Sequence, residues 1–92
     1  MSGDVFDSQF GRVYESLELV LQSAGASFRD VVSMRTFLTR RQDVEAFSRL
    51  RDAAHGELFP DGRYPPNTLV VVDGLAHPSM LLEVEAVAVI SG

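Results

Sequence analysis

Two glutamates, Glu83 and Glu85, stand two apart in the segment from Met80 to Ile90, whose other residues are almost all apolar. A carboxylate on an otherwise apolar strand face is a candidate general base. Partial burial raises its pKa and suits it to accept a proton near neutral pH. The competing reading is structural, with both glutamates paired to basic groups on a neighbouring strand or subunit. Glu83 fits either reading, and Glu85 fits the structural one. His55 and His77 are the only histidines. Neither has a His-x-x-His or carboxylate–histidine spacing that would make a metal site. With no cysteine, thiol nucleophiles, disulfides and cysteine-bearing zinc sites are excluded. Ser16, Ser27 and Ser33 have no elbow motif or visible base, and no Gly-rich phosphate loop is present. These read as surface or structural residues, and the sequence points to no metal or other cofactor. Asn67 follows Pro65-Pro66, where asparagine is first of all a turn residue. Arg63 lies in the same loop and reads as a solvated arginine. Arg35 falls within a strand, where a charge needs a partner or a wet edge.

The elements that must position these groups follow from periodicity. Phe10, Val13, Leu17, Val20, Leu21 and Ala24 recur at spacings of three and four, which predicts an amphipathic helix from about Ser8 to Ala24. Asp7 or Ser8 is placed to cap its start, and Gly25 to end it. Asp30 to Thr39 is rich in β-branched and aromatic residues and predicts a strand, with Val32, Met34, Thr36 and Leu38 on one face. A second helix starts at Asp43 with a stripe of Val44, Phe47, Leu50, Ala54 and Leu58. Phe59 to Pro66 is dense in turn formers. Thr68 to Asp73 reads as a buried strand, and Met80 to Ile90 as a last strand with Leu82, Val84, Ala86 and Ala88 on one face. The order helix, strand, helix, strand, strand predicts an α+β domain over residues 1–92, with a sheet carrying both helices on one face. Three strands leave the other sheet face in need of cover, which another subunit supplies economically.

The composition narrows the function. A chain of 92 residues suits one domain, and a hydrophobic share of 46% suits a packed one. The net charge of −5 argues against nucleic acid as a partner, because phosphate neutralisation calls for a basic excess. Arg40-Arg41 reads as a solvated turn. Met1 to Asp7 lacks the basic and apolar regions of a signal peptide, and no apolar run approaches a membrane span. A cytoplasmic protein without membrane contact is expected.

The ordered set of motifs is similar to one family. Gln9, Glu15-Ser16-Leu17, Val20-Leu21 and Ala24-Gly25 resemble the first helix of RidA/YjgF proteins. Asp30-Val31-Val32 with Thr36-Phe37-Leu38 resembles the family's next strand, and Phe47 and Phe59 fall where its second helix carries aromatics. Tyr64-Pro65-Pro66-Asn67-Thr68 resembles its Pro-Ala-Arg-Thr stretch. Val70, Val72 and Leu75, then Leu82-Glu83-Val84-Glu85-Ala86-Val87-Ala88, resemble its closing strands.

The resemblance implies a chorismate-mutase-like fold, a homotrimer and ligand pockets between subunits. It implies hydrolysis of reactive enamines and imines to 2-keto acids and ammonia, although some members carry an older endoribonuclease label and others lack deaminase activity. The ligand would be a small carboxylate or imine. Glu83 matches the carboxylate held to position or activate water, and Asn67 takes the place of the arginine that grips the substrate carboxylate. Two departures follow. The family's opening strand hairpin is missing, so the domain is expected to be shortened at its N-terminus. Asn67 offers one neutral hydrogen bond where a guanidinium offers two charged ones, a loss of about 1.5–3 kcal/mol. A binding module that has lost deaminase activity is the alternative, and Arg63 or Arg35 the possible replacement for the charge.

Overall fold

The apolar spacing at the start of the chain winds a longer helix than the stripe from Ser8 predicts. In the computed structural model, which describes residues 2–90, helix α1 spans Ser2–Ser23. Phe6 extends the stripe by one turn, so that Phe6, Phe10 and Tyr14 stack at i, i+4 and all are buried. Asp7 and Ser8 therefore lie inside the helix and do not cap it. Val20 is 65% exposed and leaves the expected stripe. The C-terminus behaves as expected. Gly25 has φ +76°, its N–H donates to the Gln22 carbonyl, and the Ala26 N–H donates to the Leu21 carbonyl at 2.8 Å. With Leu21 and Ala26 both buried, this is a Schellman ending.

A single turn of 3₁₀ helix, Phe28–Asp30, leads into strand β1, Val31–Leu38. Ser27 and Asp30 close a capping box on it: the Ser27 hydroxyl accepts from the Arg29 N–H and the Asp30 carboxylate from the Ser27 N–H. Pairing slips between Val31 and Ser33, and this bulge moves Val32 off the face predicted for it. Val31, Met34, Thr36 and Leu38 are buried, and Val32 is half exposed. Helix α2, Val44–Leu58, follows a second short turn in which Arg40 grips the buried Asp43 carboxylate through two hydrogen bonds of 2.8 and 3.0 Å. Phe47 and His55 are its most buried residues, with Val44, Leu50, Ala54 and Leu58 packed beside them.

Strand β2 is Asn67–Val71 and strand β3 is Leu82–Ala88. The sheet order is β2-β1-β3, with β1 parallel to β2 and antiparallel to β3. The predicted buried strand from Thr68 to Asp73 is instead this edge strand, with half-buried and exposed residues in alternation. Its apolar run misleads because only one of its faces meets the helices, and one of its edges is unpaired. On the helix-facing side, Met34, Thr36 and Leu38 stand beside Asn67, Leu69 and Val71 on one flank and Ala86, Val84 and Leu82 on the other. Both helices close this face. Phe6, Phe47, Met34, Leu38 and Leu82 are the largest apolar side chains at its centre, each worth about 1.5–3 kcal/mol of burial. The opposite face carries Arg35, Phe37, Thr68, Val70, Glu83 and Glu85 and has no cover among the described residues.

Candidate functional site

Gln9 fixes where β3 begins. From α1 its side-chain amide donates to the Ser79 carbonyl and accepts from the Leu81 N–H, both at 2.8 Å. The side chain thus satisfies two backbone groups as a strand would, and it docks the approach to β3 against the helix. One turn along α1, Val13, Ser16 and Leu17 line an apolar groove of about 310 Å³ against Leu82, Val84 and the strand edge at Glu83. Because β3 is an edge strand, this groove runs beside a strand edge with no neighbour on that side.

Glu83 is half-buried, opposite Phe37 in the β1–β3 register. Among the described residues no cation lies within ion-pair distance of it. Glu85 differs. It stands opposite Arg35 and pairs with it across the strands at 3.3 Å. That pairing meets the structural reading of Glu85, and it also occupies Arg35, one of the two candidates to replace the missing charge. Arg63 is exposed in the loop between α2 and β2.

Asn67 is the first residue of β2 and not a turn residue. It stands beside Met34 on the helix-facing side, where its Oδ1 accepts a hydrogen bond of 3.1 Å from the fully buried Thr36 hydroxyl. Its amide nitrogen is shielded from solvent and has no hydrogen-bond partner among the described residues. Glu83, opposite Phe37, belongs to the other face. The two residues singled out from the sequence therefore do not meet within one subunit.

A polar pair that sequence reasoning missed lies between the helices. The Tyr14 hydroxyl is 3.1 Å from His55 Nε2, and both side chains are buried. Phe10 and Phe28 stack on Tyr14, while Phe59 and Tyr64 meet the His55 ring edge-on. Burial pushes the Tyr14 phenol up to about 12, partly offset by the Arg51 charge. Burial lowers the His55 pKa, and Arg51 lowers it further against the pull of Asp52. With its proton on Nδ1 the neutral imidazole accepts from the phenol at Nε2, and with its proton on Nε2 it donates to the phenol oxygen. Helical spacing could have found both: Tyr14 is i+4 from Phe10, and His55 is two turns beyond Phe47. His77 is exposed. Among the described residues no group of three or more His, Asp or Glu side chains could hold a metal, and no helix is long and apolar enough to cross a membrane.

Comparison with known proteins gives consistent matches. The family described as Endoribonuclease L-PSP matches residues 1–90. A RutC family protein of Pyrococcus abyssi is 32% identical over 88 residues, 96% of this chain and 64% of that protein. The 3-aminoacrylate deaminase RutC of Acinetobacter baylyi is 32% identical over 81 residues, 88% of this chain and 60% of that one. Among solved structures, E. coli TdcF with bound serine superposes with a TM-score of 0.76 at 28% identity, over 86% of this chain and 60% of that one. The YjgF gene product of E. coli, at 21% identity, shares the fold with a TM-score of 0.80, over 91% of this chain and 64% of that one. The chain thus spans less than two thirds of the length of these relatives.

Proposed function

The chain belongs to the Endoribonuclease L-PSP family, which includes the RidA/YjgF proteins, and on that premise we propose that it is a small-molecule-binding domain of the imine-deaminase type. In this reading residues 1–92 form one domain. It assembles as a homotrimer in a reducing compartment such as the cytoplasm, and its ligand pockets lie between subunits. Glu83 positions or activates the water that attacks a small enamine or imine, releasing a keto acid and ammonia. The relative named as a 3-aminoacrylate deaminase supports the reaction class.

The observation that carries the reading is the uncovered sheet face. Val32, Val70 and Val87 are 40–53% exposed on it, and Glu83 sits at its rim without an ionic partner among the described residues. Covering such a face with a second copy removes apolar area from water at about 25 cal/mol per Å². It also encloses the Glu83 carboxylate, which can then hold a water molecule against a bound ligand. Sedimentation equilibrium at micromolar concentration tests the assembly. A trimer is expected, and a stable monomer would count against the reading.

A second reading is favoured by Asn67. Its carbonyl oxygen is engaged by Thr36 inside the core, and it supplies no charge with which to grip a carboxylate. On that reading the domain binds a metabolite or a protein and has lost the chemistry. Both readings share an expectation: as written, the chain has little activity on imines derived from 2-amino acids.

A further inference from the structure

All eight basic side chains of the chain are arginines. Arg35, Arg40, Arg49 and Arg51 have a carboxylate within ion-pair distance. Arg29 and Arg63 have none among the described residues, and they line one cleft of about 620 Å³. It opens between the start of β1 and the loop from Phe59 to Pro66. Its apolar walls include Val31, Tyr64, Pro65 and Pro66. Arg29 projects from the turn closed by the Ser27–Asp30 capping box. Arg63 follows Gly62, which has φ +78° and donates its N–H to the Phe59 carbonyl at 2.9 Å. Asp61 also lines the cleft. Its carboxylate accepts the Arg63 backbone N–H at 3.1 Å, which leaves two guanidiniums against one carboxylate. In a chain of net charge −5, this is a local excess of positive charge beside an aromatic ring and two prolines.

We propose that this cleft binds a small organic carboxylate with a flat apolar body, its charge held by Arg29 and Arg63 and its body lying against Tyr64 and the two prolines. Guanidinium groups bind carboxylates through paired, charge-assisted hydrogen bonds, and they stack on aromatic rings. The site lies at the start of β1, whereas Glu83 is paired near its end. It is therefore separate within a subunit from the carboxylate assigned to catalysis, and its existence does not depend on the deaminase reading.

The test titrates the full chain with phenylacetate and with its neutral isostere phenylacetamide, followed by two-dimensional NMR of the backbone amides. Phenylacetate is expected to shift the amides of Arg29, Val31, Arg63 and Tyr64, and phenylacetamide to bind at least tenfold more weakly. Arg29→Gln with Arg63→Gln should weaken phenylacetate at least tenfold and leave the urea midpoint unchanged, because both side chains are exposed. Arg49→Gln, which removes an exposed charge outside the cleft, should bind as the parent does. The proposal is overturned if phenylacetate does not bind, if the amide binds equally, or if the shifts fall along the groove between α1 and β3. It is also overturned if the double variant keeps its affinity, or if inorganic phosphate competes as strongly, which would mark an unselective anion site.

Discussion

Removing the Tyr14 hydroxyl tests whether the buried contact between the helices holds the fold together. Tyr14→Phe keeps the ring, so the stacking on Phe10 and Phe28 survives, and only the 3.1 Å contact to His55 Nε2 is lost. The imidazole is 2% exposed, so its nitrogen has no water to turn to. A buried polar atom left without its partner, donor or acceptor, costs about 1–3 kcal/mol. At a urea dependence of about 1–3 kcal/mol per molar for small domains, the midpoint should fall by roughly 1 M. Tyr14→Phe combined with His55→Leu removes both polar partners and should cost less than the two single changes summed. Titration gives the parent a defined stability window. The folded state disfavours protonated His55, so below pH about 6.5 the unfolded chain binds the extra proton. Stability is then lost as pH falls from 6.5 towards the lowered folded value. The folded state also holds the Tyr14 proton up to about 12, so stability is lost as pH rises from 10 to 12. Urea melts of the four proteins at fixed concentration, from pH 5 to 11, read both effects. The reasoning fails if Tyr14→Phe leaves the midpoint within 0.2 M of the parent, or if its alkaline loss of stability is as steep as the parent's.

Gln9→Ala removes two 2.8 Å hydrogen bonds to the backbone at Ser79 and Leu81. It should cost roughly 1–3 kcal/mol, with faster hydrogen exchange at Leu81, read by urea melts and exchange NMR. Thr36→Val fills the same buried space without the hydroxyl and leaves Asn67 Oδ1 with no donor, which should cost about 1–2 kcal/mol in the same melts. Arg35→Ala breaks a cross-strand pair whose side chains are 65% and 49% exposed. Thermal melts in low salt should move by less than about 1 kcal/mol, and in 0.5 M salt by nothing measurable.

The elements of the fold were legible because their signals are local. Gly25 ended α1 where the stripe stopped, and the alternation in Leu82 to Ala88 assigned its two faces correctly. The errors arose where a partner far along the chain decides. Val32 changed face because the pairing with β3 slips by a residue, and no feature of β1 alone encodes that slip. The run from Thr68 to Val71 looks like a central strand, yet its place at the sheet edge is set by which strands β1 accepts. Phe6 was overlooked because it precedes the apparent start of the stripe, although its i, i+4 relation to Phe10 was there to read. The candidate site rests on proposals from separate strands. Chemistry and resemblance pointed to Glu83 and to the missing arginine at position 67, but periodicity within separate strands could not show that the two face opposite sides of the sheet. The Tyr14–His55 contact joins residues 41 apart in the chain, so each looked unremarkable by itself.

The most direct test of the central claim follows keto-acid release from 2-iminobutyrate generated in situ, for the parent chain, Asn67→Arg, and Asn67→Arg combined with Glu83→Gln. The account holds that the domain is of the imine-deaminase type, with a water-activating Glu83 and no charged grip at position 67. A charged contact worth about 1.5–3 kcal/mol corresponds to roughly a tenfold to hundredfold change in rate. The parent should be slow, Asn67→Arg faster by that factor, and the double variant back to the parent's rate or below. A parent that already turns over rapidly, or a gain in Asn67→Arg that survives the loss of the Glu83 carboxylate, would contradict it.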